Sequence, residues 1–185
     1  EVNYMNIPGI QEYGFPLKNF KDAVFLRNRI EIILREKREI KIIVAGAGAA
    51  GIELIAEFNN YLCYLQEYIL SEKKCDIHLE MVEAAETILP GMPPWLIEKT
   101  TARLRNLGIN IRTHAFVTEV TKTETILQDG ARLSCDLFIW TGGVKGARIL
   151  ESLSIPLTKR RSILVNKFLQ PPEDQDIFVI GDSAT

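Results

Sequence analysis

A short glycine-rich run offers the clearest chemistry in this sequence. It follows the pattern G-x-G-x-x-G, and its members are Gly46, Ala47, Gly48, Ala49, Ala50 and Gly51. In such a run the first glycine permits a tight turn, the second lets the backbone approach a pyrophosphate, and the third lets a helix pack on a strand. Phosphate oxygens would then meet the free amides at the start of the next helix. A tight strand-to-helix turn without a ligand is the structural alternative.

An acidic residue at the end of the second strand would complete such a site. Glu83, followed by Ala84, comes directly after a β-rich run at residues 77–82. A carboxylate there can accept hydrogen bonds from the hydroxyls of an adenosine ribose, and it would repel a 2′-phosphate. Glu83 and Ala84 are therefore the predicted adenosine-side residues, and NAD(H) is favoured over NADP(H). The alternative is a solvated strand end without a ligand.

Two further groups could lie near the reactive end of a dinucleotide. Glu53 falls in the first turn of the predicted helix, and we predict it as the catalytic carboxylate. Its alternative role is simple stabilisation by the helix dipole. The second group ends a strand, where open α/β sheets bind their ligands. It consists of Thr141, Gly142 and Gly143, and a plain loop explains these residues almost as well.

The elements that must position these residues alternate between strands and helices. The glycine run follows a short Ile and Val run, which is typical of a parallel strand buried on both faces. Helices are predicted at 19–37, 52–69 and 95–107, with strands at 40–45, 77–82, 109–112, 116–120, 125–127, 132–134, 137–140, 163–165 and 177–180. Residues 1–18 contain prolines and glycines and are predicted to be an irregular connector. The pattern predicts an α/β, Rossmann-like domain with a central parallel sheet and a β-meander crossover.

Composition excludes several classes of protein. The chain has 185 residues, 22 basic and 24 acidic side chains, and a net charge of −2, so a nucleic-acid partner is not expected. Cys63, Cys75 and Cys135 show no zinc-type spacing with the two histidines, so no metal site is expected. No apolar run is long enough to span a membrane, and no signal peptide is evident. These features indicate a reducing, cytoplasmic location.

Taken together, the motifs resemble the type II NADH:quinone oxidoreductases. These single-subunit flavoproteins have two dinucleotide-binding domains and belong with the pyridine nucleotide-disulfide oxidoreductases. The resemblance runs nearly end to end and lies in EYGFPLK at 12–18, DAVFLRN at 22–28, GAGAAGIELIAEF at 46–58, VEAAETILPG at 82–91, IWTGGVKG at 139–146 and DIFVIGDSAT at 176–185. The chain departs from the family at Ala47, at Ala49 and Ala50, and at Gly142, where alanine is common.

The resemblance implies a role for each predicted site residue. The glycine run would hold the pyrophosphate of NADH, and Glu83 would bind the adenosine ribose. Glu53 and residues 141–143 would lie beside the nicotinamide. Gly181 and Asp182 would contact the FAD of the whole enzyme, which would pass hydride from NADH to FAD and then electrons to a quinone. The rivals are a sulfide:quinone or disulfide-type flavoprotein and a non-catalytic NAD-binding, redox-sensing module.

The resemblance also implies a domain plan. The sequence holds one G-x-G-x-x-G instead of two. Residues 1–18 are therefore expected to be a tail of an FAD-binding domain or a connector, 19–153 the NAD(H)-binding domain, and 154–185 a return segment of the FAD-binding domain. Such a fragment would bind NAD(H) without turnover, and its two flanks would lie close together and lack some of their sheet partners. The whole enzyme would be peripheral on the cytoplasmic face of a membrane, and exposed interface strands could pair two copies into a homodimer.

Overall fold

The structure is a computed structural model that describes residues 1–69 and 76–185. Residues 70–75, which include Cys75, lie outside the described residues. The chain divides into two compact units, each described by itself below. The larger unit is Tyr4–Gly142, and the smaller one combines Glu1–Asn3 with Gly143–Thr185.

The elements of the larger unit are α1 (Ile10–Tyr13), β1 (Gly14–Pro16), α2 (Phe20–Glu36), β2 (Glu39–Ala45), α3 (Ala49–Ile69), β3 (Asp76–Val82), α4 (Pro94–Asn106), β4 (Asn110–Arg112), β5 (Val117–Val120), β6 (Glu124–Leu127), β7 (Arg132–Ser134) and β8 (Leu137–Trp140). A five-stranded parallel sheet has the order β1-β8-β2-β3-β4. A second, antiparallel sheet contains β5, β6 and β7 in sequence order. This is the predicted Rossmann-like architecture with its meander.

One face of the parallel sheet carries the main core. Alternate residues of a strand point to the same face, and Ile42, Val44 and Ile139 pack there against apolar side chains from α2, α3 and α4. Ile43 and Phe138 point to the opposite face and are also buried. Burial on both faces explains why the central strands are almost continuously apolar.

Local signals fix the ends of two helices. The Asn19 side chain accepts a hydrogen bond from the Asp22 amide at 3.1 Å, and the Asp22 carboxylate accepts one from the Asn19 amide. This reciprocal capping box satisfies amides that lack a partner within α2. In α4 the first residue is Pro94, and Gly108 follows the helix with a φ of 77°. Both helix starts agree with the sequence prediction to within a residue.

The prediction of an irregular connector over residues 1–18 is wrong. This segment contains α1 and β1, and β1 forms the edge of the parallel sheet by pairing with β8, Phe15 opposite Ile139. The compact sheet unit accordingly begins at Tyr4 and ends at Gly142, whereas the predicted limits were 19 and 153. The physical reason is that three residues are too few to show a strand pattern, so β1 forms only because it pairs with the distant strand β8.

The smaller unit contains little regular structure. It has 3₁₀ turns at Arg148–Ser152 and Gly181–Ser183, and a small core of Leu150, Ile163 and Val179. Residues 1–3 join it through an antiparallel bridge between Val2 and Val144. The first three residues of the chain thus belong to the same compact unit as residues 143–185.

The two strands predicted in the smaller unit are not formed. Ile163 makes only single bridges, antiparallel with Leu157 and parallel with Ala184. Over 177–180 the described residues form no ladder, and the Val179 amide instead donates to the Leu169 carbonyl. The alternating pattern is nevertheless that of a half-buried strand, since Val179 is buried while Phe178 and Ile180 are exposed. A short apolar run without a neighbouring strand does not make a sheet.

Candidate functional site

The glycine run forms the turn between β2 and α3, at the carboxyl edge of the parallel sheet. Gly46 has a φ of 105°, a backbone conformation that residues with a side chain rarely adopt. A Cβ there would lie 2.8 Å from both the amide nitrogen of Gly142 and the carbonyl carbon of Thr141. At Gly51 a Cβ would lie 1.9 Å from the Gly46 carbonyl oxygen. Both positions exclude any side chain.

The middle of the run is open instead. A Cβ at Gly48 would meet no atom within 4 Å, and Gly48, Ala49 and Ala50 are all exposed. Ala47 points inward and is fully buried. Because α3 begins at Ala49, the amides of its first turn have no partner within the helix, and they carry its positive dipole end. This open cradle fits a pyrophosphate, since amides and dipole favour an anion and small side chains leave room.

Glu83 lies directly after β3 and beside the glycine run. Its Oε2 accepts a hydrogen bond from the Ala47 amide at 2.6 Å, and its Oε1 accepts one from the Ala85 amide at 2.8 Å. The side chain is half-buried, so this carboxylate is not merely solvated. Each carboxylate oxygen has a second lone pair that could accept from a ribose hydroxyl. Ala84, the neighbouring candidate, is exposed.

Backbone hydrogen bonds hold this carboxylate and the run in one frame. The Gly46 amide donates to the Val82 carbonyl at 2.8 Å, and the Glu83 amide donates to the Arg112 carbonyl at 2.9 Å. The Leu89 amide donates to the Ala47 carbonyl at 2.8 Å. The ends of β2, β3 and β4 are therefore joined at one edge, which is where parallel sheets bind ligands.

The end of β8 lies against the same turn. The Thr141 hydroxyl donates to the Gly46 carbonyl at 2.7 Å and lies 3.0 Å from the Ala45 carbonyl oxygen. Gly142 is covered by Trp140, since a Cβ at 142 would lie 2.2 Å from the indole. The resembled family often has alanine at this position. In this chain the indole occupies the space that the alanine methyl group would need, which is consistent with the glycine at 142. The contact between Trp140 and the predicted site residue Gly142 was not evident from the sequence pattern.

The remaining predicted site residues have less defined surroundings. The predicted place of Glu53 in the first turn of its helix is wrong, because α3 begins at Ala49 and Glu53 is its fifth residue. Its side chain is exposed, and its catalytic role stays a prediction. Gly143, Gly181 and Asp182 belong to the smaller unit and are exposed there, with φ values of 127° at Gly143 and 65° at Gly181. Their roles toward nicotinamide and FAD also stay predictions.

Other reactive groups lie away from the glycine run. Cys63 is exposed on α3 as an unpaired thiol, whereas Cys135 is buried beside the Thr125 hydroxyl, and this burial raises the pKa of its thiol. Over residues 1–69 and 76–185, no group of three His, Cys, Asp or Glu side chains could hold a metal ion. Within the same ranges, each helix is too short or too polar to cross a bilayer.

Known proteins are similar to this chain in sequence. The sequence profile of the family described as pyridine nucleotide-disulphide oxidoreductase matches residues 1–185. The chain is 28% identical over 154 residues to a type II NADH:quinone oxidoreductase of Haemophilus influenzae, covering 82% of this chain and 34% of that protein. It is 27% identical to a demethylphylloquinone reductase of Synechocystis, covering 97% of this chain and 43% of that protein.

Solved structures share the fold over the whole chain. The NDH2 of Plasmodium falciparum, in complex with NADH, superposes with a TM-score of 0.86 at 23% identity. That match covers 100% of this chain and 42% of the other. The chain therefore spans less than half the length of these relatives.

Proposed function

The chain belongs to the pyridine nucleotide-disulphide oxidoreductase family, and from that premise we propose that it forms the NAD(H)-binding part of an FAD-dependent NADH:quinone oxidoreductase. One observation carries the proposal. The glycine run has space for a ligand at Gly48 but none for a side chain at Gly46 or Gly51. Beside the run lies the Glu83 carboxylate, which accepts two backbone hydrogen bonds.

The pyrophosphate of the dinucleotide would lie over Gly48, Ala49 and Ala50. The exposed backbone there and the start of α3 supply donors and a positive dipole. The missing side chain at 48 sets how closely the phosphate oxygens can approach. The closed positions at Gly46 and Gly51 hold the loop in place, so that little ordering is needed when the ligand binds.

The adenosine ribose would lie against Glu83. Its oxygens already accept from the Ala47 and Ala85 amides, so the carboxylate is fixed before the ligand arrives. A fixed negative charge accepts hydrogen bonds from the 2′- and 3′-hydroxyls and repels a 2′-phosphate. NADH is therefore the expected ligand, and NADPH should bind more weakly.

The reactive end of the dinucleotide would lie toward Glu53 and residues 141–143. FAD, when bound, would supply the two-electron redox chemistry, and Gly181 and Asp182 are the residues of this chain that would contact it. We further propose that the smaller unit belongs to the FAD-binding domain of the whole enzyme. The matched relatives named as quinone reductases support a quinone as the electron acceptor.

Two parts of the proposal concern the whole enzyme. We place it peripherally on the cytoplasmic face of a membrane, where a quinone would be reached, and a homodimer remains a prediction.

A disulfide-type mechanism is less well supported, because neither Cys63 nor Cys135 lies in one of the glycine segments.

Calorimetric titration of the chain with NADH, NADPH and adenosylmethionine tests the proposal. We expect one NADH per chain, weaker binding of NADPH, and no binding of adenosylmethionine. We expect no NADH oxidation at enzyme-like rates by the chain alone, because it contains one G-x-G-x-x-G run and not the two of the whole enzyme. Failure to bind NADH, or tighter binding of adenosylmethionine, would overturn the proposal.

A further inference from the structure

The end of β8 and the glycine run are joined by one side chain. The Thr141 hydroxyl donates to the Gly46 carbonyl at 2.7 Å, and it lies 3.0 Å from the Ala45 carbonyl oxygen. The Thr141 amide also donates to the Ala45 carbonyl, at 2.8 Å. Because a hydroxyl has a single hydrogen to donate, this one is already committed to the protein and is not available for donation to a ligand.

The hydroxyl sits in a junction that leaves no spare room. A Cβ on Gly51 would lie 2.7 Å from the Thr141 hydroxyl oxygen, and a Cβ on Gly46 would lie 2.8 Å from the Thr141 carbonyl carbon. The first turn of α3, the glycine turn and the end of β8 therefore meet around this one oxygen. Close packing of this kind transmits a displacement of one part to the others.

Ring packing also holds the same end of β8. Trp140 is buried, its ring stacks at 6.4 Å from that of Phe138, and its indole covers Gly142. The backbone of residues 140–142 is thus fixed by ring packing on one side and by the Thr141 hydroxyl on the other. The position of this backbone relative to the glycine turn is set by these two contacts.

We propose that Thr141 is a positioning residue, whose hydroxyl fixes the spacing between the pyrophosphate loop and the β8 end that receives the nicotinamide. The inference rests on the proposed function for its ligand. A dinucleotide that reaches both segments needs this spacing, whereas a ligand that occupies only the adenosine side does not. The hydroxyl therefore contributes to binding without touching the ligand as a donor.

Three variants of the 185-residue chain separate this role from a general loss of structure. Thr141→Val keeps the shape and removes the hydroxyl, and Thr141→Ser keeps the hydroxyl. Thr118→Val is the matched control, because the Thr118 hydroxyl also donates to a backbone carbonyl, that of Ile126 at 3.1 Å, in the antiparallel sheet. Affinities for NADH and for AMP are measured by calorimetry, and backbone amide exchange is measured without ligand.

We expect Thr141→Val to weaken NADH binding about fivefold to tenfold, which is the upper part of the range of about twofold to tenfold for one lost internal hydrogen bond. AMP affinity should stay within about twofold, and Thr141→Ser and Thr118→Val should bind NADH as the unsubstituted chain does. Without ligand, the Gly46 and Ala47 amides, which donate to the Val82 carbonyl and to Glu83, should exchange faster in Thr141→Val alone.

Two results would overturn the positioning role. One is equal weakening of NADH and AMP by Thr141→Val, which would indicate a merely structural residue. The other is unchanged exchange at Gly46 and Ala47 in that variant. If the unsubstituted chain binds neither ligand, the proposed function fails, while the exchange measurement still decides whether the hydroxyl fixes the loop.

Discussion

Two glycines of the same run should respond in opposite ways to one added methyl group. Gly48→Ala adds a Cβ that meets no atom within 4 Å, and the backbone there does not have the left-handed φ that disfavours alanine. Gly51→Ala adds a Cβ only 1.9 Å from the Gly46 carbonyl oxygen, which belongs to the backbone and cannot swing away. The first change therefore affects the ligand, and the second affects the fold.

The expected magnitudes differ in kind. Gly→Ala at a compatible position stabilises a protein by about 0.4–1 kcal/mol through the unfolded chain, so the Tm of Gly48→Ala should stay unchanged or rise by about 1–4 °C. Its NADH affinity should fall about tenfold or more, because one charged hydrogen bond contributes about 1.5–3 kcal/mol. Gly51→Ala should cost about 3 kcal/mol by overpacking, which lowers the Tm by about 6–12 °C.

Thermal unfolding by circular dichroism and calorimetric titration with NADH check both variants. Gly130→Ala, at an exposed turn away from the run where a Cβ also meets nothing, is the control for adding a methyl group at an open glycine. Because Gly130 has a φ of 85°, a small loss of stability is expected there, but NADH affinity should not change. If Gly48→Ala bound NADH as tightly as the unsubstituted chain, the pyrophosphate would not lie over this position.

Three further predictions concern neighbouring groups. Glu83→Gln removes the charge that repels a 2′-phosphate, so the ratio of the Kd values for NADPH and NADH should fall about tenfold; an unchanged ratio would show that Glu83 does not face the ribose. Gly142→Ala should cost about 1–3 kcal/mol because the indole of Trp140 must move, and a double-mutant cycle with Trp140→Leu should recover part of that loss; additive effects would contradict the contact. Iodoacetamide at pH 8, followed by peptide mapping, should label exposed Cys63 well before Cys135, since burial raises the pKa of the Cys135 thiol; equal rates would refute the burial argument.

Periodic elements were predictable because their signals are local. The helix α2 has its cap residues Asn19 and Asp22 in the sequence next to its apolar stripe, and β2 is a run of Ile and Val that ends at a glycine turn. The strand β1 was not predictable, since Gly14–Pro16 contains a glycine and a proline and becomes a strand only by pairing with β8. Conversely, residues 177–180 are a continuous apolar run that is typical of a strand, but they find no neighbour among the described residues to complete a ladder.

The candidate site shows the same division. The glycines at 46, 48 and 51 predict a close-packed turn with one open position, because a residue without a side chain permits close packing and leaves room for a ligand. The hydrogen bond from the Ala47 amide to Glu83 joins residues 36 positions apart and is visible only in the fold. The placement of the Trp140 indole over Gly142 depends on a rotamer, which no spacing rule predicts.

The most direct test of the account follows the backbone amides of the chain by NMR as NADH is added. If the pyrophosphate lies over the glycine run, the largest shifts occur at the amides of residues 48–51, with further shifts at Glu83 and Ala85. The antiparallel sheet of β5, β6 and β7 should change little. Shifts confined to that sheet, or no change at residues 48–51 with saturating NADH, would contradict a dinucleotide site at this turn.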